Sequence, residues 1–298
     1  YGQYAPGSTF KIIDAIALLE NGLDPDAPFT VEADPTTPGK GRYMLGRRSI
    51  KDTAPPGEYD LRRAFIRSSN SYFIDHGLRL GWERLLTLGS AFGLGQHTGI
   101  RLNEEKAGDF PTPDQVRERG WNSGNLANVT IGQEITLTPL QLAVAVSAVA
   151  NGGRVYWPRL VDRLEPESPL SETPVVRVQP GQVRTEIKSR RRSFDIVRAA
   201  MRDDVLDSEG TGKAARLDGF PICGKTGTAE IKGHGRRDKV TWFASFGPYE
   251  SPRYVVIVMV ESGVSGGGTC APVAKRIYEF LHNREQGRGP QLAVGGAL

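Results

Sequence analysis

Hydrophobic positions along the chain fall into two regimes. In the first, long stretches have helical spacing. The run Gly-Ser-Thr-Phe-Lys-Ile-Ile-Asp-Ala-Ile-Ala-Leu-Leu-Glu-Asn-Gly, residues 7–22, carries charge only at Lys11, Asp14 and Glu20. A helix that is apolar on nearly every side is a buried one. Ser8 or Thr9 is expected to cap it, and Asn21-Gly22 to end it. Residues 23–60, rich in Pro, Gly, Asp and Thr, predict loops and short strands. Residues 59–81 read as helix, break, helix, with the break near Ser68 to Asn70, and residues 82–95 as a further short helix ending in glycines. Residues 103–125 look irregular. A second buried helix follows, with Thr138 as cap, Pro139 in the first turn and Asn151-Gly152 as the stop. Residues 155–187 suggest short edge strands, and residues 193–205 an amphipathic helix.

The second regime begins near Phe220. Residues 220–231, 239–249 and 253–262 are strand-like runs joined by turns bearing Gly, Asp and Pro. The last of them is continuously apolar, as a central strand covered on both faces is. A final helix, residues 271–283, leads into a loose tail. The expected fold is α+β: a mostly antiparallel sheet flanked by helices, plus a helical subdomain.

Composition narrows this picture only a little. With 298 residues, 38% hydrophobic and 24% charged, the chain is long and apolar enough to bury a sizeable core. The net charge of +4 is small for this length, and no basic stripe interleaves with aromatics, so no nucleic-acid partner is expected. The run Lys188-Ser189-Arg190-Arg191-Arg192 reads as a solvated loop or helix start. Cys223 and Cys270 form no CxxC pair, and His76, His97, His234 and His282 are scattered, so neither a metal nor a cofactor is expected. The longest apolar stretches, residues 140–150 and 254–260, fall short of the ~20 residues of a membrane-spanning helix.

Three constellations offer chemistry. Gly219, four residues on to Gly224, then Lys225-Thr226, spells a phosphate-binding loop. Pro221 inside the cradle has no N–H to give, and a strand-like run follows in place of a helix. Gly263-Val264-Ser265-Gly266-Gly267 fits a nucleophile elbow, but only His282 follows to serve as a base. Four glycines in six residues are more simply a tight turn. The third constellation joins Ser8-Thr9-Phe10-Lys11, Ser68-Ser69-Asn70 and Lys225-Thr226-Gly227. This is the S-x-x-K, S-x-N and K-T-G set of serine acyltransferases that react with penicillin. Ser8 and Lys11 are neighbours on one helix face, and the buried character of that helix suits a lysine tuned to act as a base.

On these motifs the chain resembles a class B penicillin-binding protein, a D,D-transpeptidase of peptidoglycan synthesis. The likeness runs from Tyr4 to about Leu281 and includes residues 92–100, 131–153, 210–230 and 242–261. The Gly-Gln-His-Thr-Gly-Ile segment, residues 95–100, leans toward the rod-elongation subgroup. The resemblance implies a serine β-lactamase/transpeptidase-like fold whose N-terminal strands, pedestal and membrane anchor precede Tyr1 in the full-length protein. Residues 1–284 are then the N-terminally truncated catalytic domain and 285–298 a loose C-terminal tail. The sheet is expected to have one exposed side. Lys239-Val240-Thr241-Trp242-Phe243 departs from the family, which more often has an acidic-His pair before the tryptophan.

The resemblance also assigns roles. Ser8 is the nucleophile and Lys11 its base, with Ser68 relaying the proton and Asn70 bonding the substrate amide. Lys225, Thr226, Gly227 and Thr228 bind the terminal carboxylate and peptide, and the N–H groups of Ser8 and Thr228 form the oxyanion hole. The implied substrates are peptidoglycan stem peptides, with β-lactams as covalent inhibitors. The implied partner is a membrane polymerase of the rod-elongation type, and the location is extracytoplasmic at the inner membrane. Rivals on the same fold are a β-lactamase, a D,D-carboxypeptidase and a non-catalytic sensor of β-lactam or peptide. A class A β-lactamase activates water with a glutamate, and we expect no Glu-x-x-x-Asn element placed for that role.

Overall fold

The computed structural model describes residues 2–100, 104–166, 175–233 and 236–287. A 3-10 turn at Gly7–Phe10 runs without interruption into α1 (Lys11–Glu20). Phe10, the residue before α1, already has helical dihedrals, so α1 has no extended cap residue. Neither Ser8 nor Thr9 therefore caps it, and Thr9 Oγ1 instead donates to the Pro6 carbonyl at 2.8 Å. Every residue from Lys11 to Leu19 is buried, including the two charged ones. Asn21 ends the helix and Gly22 turns the chain at φ +91°.

A small antiparallel sheet follows, built of β1 (Phe29–Ala33), β2 (Gly41–Leu45), β3 (Arg48–Lys51) and β4 (Gly57–Tyr59) in the order β3-β2-β1-β4. Then come α2 (Leu61–Ile66), α3 (Asn70–Leu80) and α4 (Trp82–Ala91). The break between α2 and α3 falls at Ser68, whose φ of +56° is costly for a residue with a Cβ. The stretch expected to be irregular contains α5 (Pro113–Glu118) and the start of α6 (Ser123–Thr130). Each opens on a reciprocal capping box, Thr112 with Gln115 and Asn122 with Asn125. Those polar caps, with Gly120 between the helices, mask the short helical period in the sequence.

Helix α7 (Pro139–Asn151) matches its expected limits, with a capping box between Thr138 and Gln141 and Gly152 in the left-handed region. Two short antiparallel pairs join β5 (Arg154–Tyr156) with β8 (Val183–Glu186), and β6 (Arg163–Leu164) with β7 (Val176–Arg177). The amphipathic α8 (Arg191–Leu206) precedes three longer strands, β9 (Cys223–Gly233), β10 (Arg236–Gly247) and β11 (Tyr254–Glu261). A π-turn at Gly266–Cys270 leads into α9 (Ala271–Glu285). The tail expected from residue 285 lies, from 288 onward, outside the described residues.

The three-stranded sheet is antiparallel in the order β11-β10-β9. Its side chains divide by strand alternation. Val240, Trp242, Ala244 and Phe246 of β10 join the main core with α1 and α7, while Phe243 joins a second core with Val256, Val258 and Tyr278 under α9. Both faces of β11 are thus covered, which explains its unbroken apolar run, although β11 is an edge strand of the described sheet rather than a central one. No strand among the described residues pairs with its other side, in line with the exposed side expected from the sequence. The fold is α+β as expected, with helices on both faces of the sheet.

Candidate active site

The site forms where the start of the chain meets the middle of β9. The segment before α1 is pinned from two sides. Tyr4 and Leu137 exchange two backbone hydrogen bonds of 2.9 Å, and the Gly7 N–H donates to the Gly132 carbonyl at 3.0 Å. Trp242 Nε1 on β10 donates to the Ala5 carbonyl at 3.0 Å. Two glycines make the approach to β9 possible. Gly7 has φ +53°, and a Cβ there would stand 2.6 Å from the Thr228 carbonyl oxygen. A Cβ on Gly227 would stand 2.8 Å from the Pro6 carbonyl oxygen. Residues more than two hundred apart in sequence are thereby in backbone contact, with half-buried Ser8 between them.

Lys11 extends from the first turn of α1 toward the break between α2 and α3. Its Nζ donates to the Ser68 carbonyl at 2.8 Å and to Asn70 Oδ1 at 2.8 Å. The side chain has no accessible surface and passes over the Phe73 ring, 5.4 Å from its centroid. Burial, and then the charge of Lys225, hold its pKa well below the usual lysine range, against the opposing pull of Asp52 and Asp14. A neutral amine has two N–H donors and one lone pair. The two acceptors take both donors, so the lone pair is left free to receive a proton. Ser8 Oγ makes no hydrogen bond among the described residues and remains available as a nucleophile.

The loop that offers these acceptors is held by a residue the sequence reading missed. The buried Asp52 carboxylate accepts from Ser69 Oγ, Asn70 N–H and Ser71 N–H, each at 2.7 Å, and from Ala54 N–H at 3.0 Å. It anchors the first turn of α3 and turns the Ser68 carbonyl toward Lys11. No spacing rule marks it, because it sits in a Pro- and Gly-rich stretch 18 residues before Asn70. Ser68 contributes its carbonyl to this contact, which Thr53 Oγ1 also reaches at 2.5 Å, while its hydroxyl has no partner among the described residues. Asn70 Nδ2 donates one proton to the Lys51 carbonyl at 3.1 Å and keeps the other.

Lys225 approaches from the opposite wall. It is fully buried, lies 5.5 Å from the Phe65 ring centroid, and makes one long contact of 3.3 Å to the Thr226 carbonyl. Burial lowers its pKa, and the buried Asp204 of α8 opposes that shift. Asp204 is itself raised by burial and lowered by Lys225. Its Oδ1 accepts from the Thr211 hydroxyl at 2.7 Å, and Thr211 Oγ1 lies 2.6 Å from Thr226 Oγ1. Thr226 is therefore buried and engaged sideways, whereas Thr228, two residues on along β9, is exposed. Thr211 and Asp204 were also missed as site residues; the Gly-Thr-Gly at 210–212 was a signal, but Asp204 in an amphipathic helix was not.

The competing constellations come apart. Gly224, Lys225 and Thr226 lie within β9, so no loop and helix N-terminus surround a phosphate. Ser265 Oγ accepts from the Gly268 N–H at 3.0 Å as a turn cap. His282, eleven residues into α9 and roughly 17 Å along its axis, packs on the Phe220 ring. The Glu-x-x-x-Asn spacing does occur, at Glu118 and Asn122, but Glu118 ends α5 exposed to solvent and Asn122 caps α6. Cys223 and Cys270 are both buried free thiols. Among the described residues no cluster of His, Cys, Asp or Glu could hold a metal ion.

Comparison with known proteins bears on the family and the fold. Residues 1–279 match the penicillin-binding protein transpeptidase domain family. The chain is 31% identical to the peptidoglycan D,D-transpeptidase MrdA of Haemophilus influenzae, over 98% of this chain and 46% of the relative. It is also 31% identical to the penicillin-binding protein PbpB of Mycolicibacterium smegmatis, over 94% of this chain and 43% of the relative. The chain thus spans about half the length of the curated relatives it matches. Among solved structures, Pseudomonas aeruginosa PBP2 in complex with WCK 5153 superposes with a TM-score of 0.80 at 27% identity, over 99% of this chain and 62% of that one. PBP3 of Mycobacterium tuberculosis complexed with aztreonam gives 0.76 at 29% identity, over 99% of this chain and 66% of that one. With its three motifs gathered around one buried lysine, the chain belongs to the penicillin-binding protein transpeptidase family, in its class B branch.

Proposed function

We propose that this chain is the acyl-transfer part of a peptidoglycan D,D-transpeptidase. The observation that carries the reading is the saturation of both Lys11 donors by the Ser68 carbonyl and Asn70 Oδ1. Lys11 takes the Ser8 proton as Ser8 Oγ bonds to the penultimate D-Ala carbonyl of a stem peptide. The backbones of Ser8 and Thr228 lie together because Gly7 packs on Thr228, and their N–H groups hold the oxyanion. The proton then passes to the departing D-Ala amine, with the unpartnered Ser68 hydroxyl next in line as relay. An amine from a second stem resolves the acyl-enzyme and forms the crosslink.

Lys225 supplies the fixed positive charge that meets the terminal carboxylate, with Thr226 and Thr228 beside it on the same strand. Gly227 keeps that strand close to the nucleophile. The spare Nδ2 proton of Asn70 faces the substrate amide. β9 ends the described sheet on this side, so a stem peptide can pair along its outer edge. β-Lactams, aztreonam among them, acylate Ser8 and remain attached, since the reading provides no residue that activates water.

Residues 1–284 act as the catalytic unit of a longer, membrane-anchored extracytoplasmic protein that works beside a rod-elongation polymerase. No helix of the described residues is long and apolar enough to cross a membrane, so the anchor of this reading lies outside them. Labelling with a fluorescent penicillin, followed by mass spectrometry of the labelled peptide, tests the proposal. Label on the Ser8 peptide, lost in Ser8→Ala, is expected. Label that survives Ser8→Ala, or none with Ser8 intact, overturns it. Release of hydrolysed β-lactam at a steady rate would point instead to a β-lactamase.

A further inference from the structure

Asp14 is a buried group to which the scheme above gives no task. It lies one turn after Lys11 on the same face of α1, with no accessible surface. Neither of its carboxyl oxygens has a hydrogen-bond partner among the described residues. Among the described residues Lys11 is the one charged group acting on it, and Lys11 also faces Lys225 on β9 and Asp52 after β3. Of the helices packed against α1, α3 presents the Phe73 ring to Lys11, and α8 carries Asp204, which acts on Lys225. No charge from α4 reaches Asp14.

A carboxyl enclosed without a donor stays protonated, because ionising it would strand a charge away from water. Burial accordingly holds Asp14 well above the usual carboxylate range. Such a group weakens the fold, and an apolar side chain of similar size would cost less. Its position next to the base gives it a role. We propose that Asp14 is a positioning residue for Lys11, a neutral acid at rest whose carboxylate, formed as pH rises, strengthens the base that takes the Ser8 proton.

The inference rests on Lys11 being that base. While Asp14 is protonated, the Ser8 proton moves to Lys11 as the Ser8 Oγ–carbon bond forms. Lys11 becomes an ammonium and returns the proton to the leaving amine, and Asp14 keeps its own proton throughout. Above its raised pKa, Asp14 releases that proton to hydroxide in solvent. The resulting carboxylate then stabilises the Lys11 ammonium one turn away, and acylation speeds up.

The test is the second-order rate of acylation by a fluorescent penicillin from pH 5 to 10, for the chain as it stands and for Asp14→Asn and Asp14→Glu. The unaltered chain should rise in two steps. Asp14→Asn should match it on the acid side and fall several-fold behind on the alkaline side, and Asp14→Glu should keep the second step. Any change in the Lys225 charge is common to all three, so the ratio of rates cancels that effect. Thermal unfolding gives a readout without activity. A carboxyl with a raised folded pKa costs more stability the further pH lies above the unfolded value, so the melting point of Asp14→Asn relative to the unaltered chain should climb as pH rises. A purely structural Asp14 would instead shift every rate by one factor at all pH, and an Asp14 whose pKa is not raised would shift every melting point by one amount. Either result, or an acid step displaced in Asp14→Asn, overturns the inference. Failure of the unaltered chain to label at Ser8 would instead sink the transpeptidase reading beneath it.

Discussion

Lys11 and Lys225 are the same residue at the same full burial, yet their surroundings differ in the way the two proposed tasks require. Lys11 has two short acceptors, both neutral, and its larger charged influence is another lysine. Lys225 has one long contact to a carbonyl, and its named charged influence is the buried Asp204. The first setting satisfies an amine and penalises an ammonium. The second keeps a buried carboxyl close, which opposes the loss of the positive form that the proposed carboxylate binding needs. Burial alone does not make a base; what matters is whether the neighbours complete the charged form or the neutral one. The supports differ in kind as well. Behind Lys11 stands a loop tied to Asp52, and behind Lys225 a hydroxyl chain from Asp204 through Thr211 to Thr226.

The largest break in this comparison should come from Lys11→Met, which keeps the stem and removes the proton acceptor. Acylation by a fluorescent penicillin should fall ~10²–10⁴-fold, the usual worth of a general base. Lys11→Arg should be as poor, because a guanidinium does not give up its proton. Asp52→Ala strikes the support of Lys11 and leaves four donors without their acceptor. Denaturant unfolding should show a loss of about 3 kcal/mol, and a preserved stability would show that Asp52 is not the anchor of the loop.

Lys225→Met should act differently from Lys11→Met. Loss of a charge-assisted contact is worth roughly 1.5–3 kcal/mol, or about 10–100-fold, and should appear mainly as weaker binding of carboxylate-bearing substrates. It should also move the acid limb of the rate profile. With Lys11 lowered, the amine form and hence the rate grow as pH rises through its pKa. Removing the repulsion from Lys225 raises that pKa, so the limb should shift to higher pH. A limb that stays in place would mean the two lysines do not sense one another. The smallest effect belongs to Thr211→Val, which cuts the hydroxyl chain by removing two hydrogen bonds, about 1–2 kcal/mol of stability. Thermal unfolding would read it directly.

Much of the molecule was legible because its signals are local. The burial of α1 and α7 shows in their apolar runs, the ends of α7 in Thr138, Pro139 and Gly152, and the break at Ser68 in the motif around it. Ser8 and Lys11 are joined by one helical turn, so their partnership needs no tertiary knowledge. Where the reading failed, the local signal was ambiguous. The capping residues of α5 and α6 are also turn residues, and the α1 start has no cap because the chain enters it from a 3-10 turn. The apolar run of β11 records two covered faces and says nothing of its place in the sheet order.

The sequence by itself determined the candidate reacting groups, the helices that carry them, and the α+β class, since each follows from spacing over a few residues. Only the tertiary structure decided that Asp52 holds the Lys11 acceptors, that Asp204 stands behind Lys225, and that Asp14 has no hydrogen-bond partner among the described residues. Those facts depend on contacts between segments distant along the chain, and a side chain's charge state is set by what surrounds it in space, which no local period encodes.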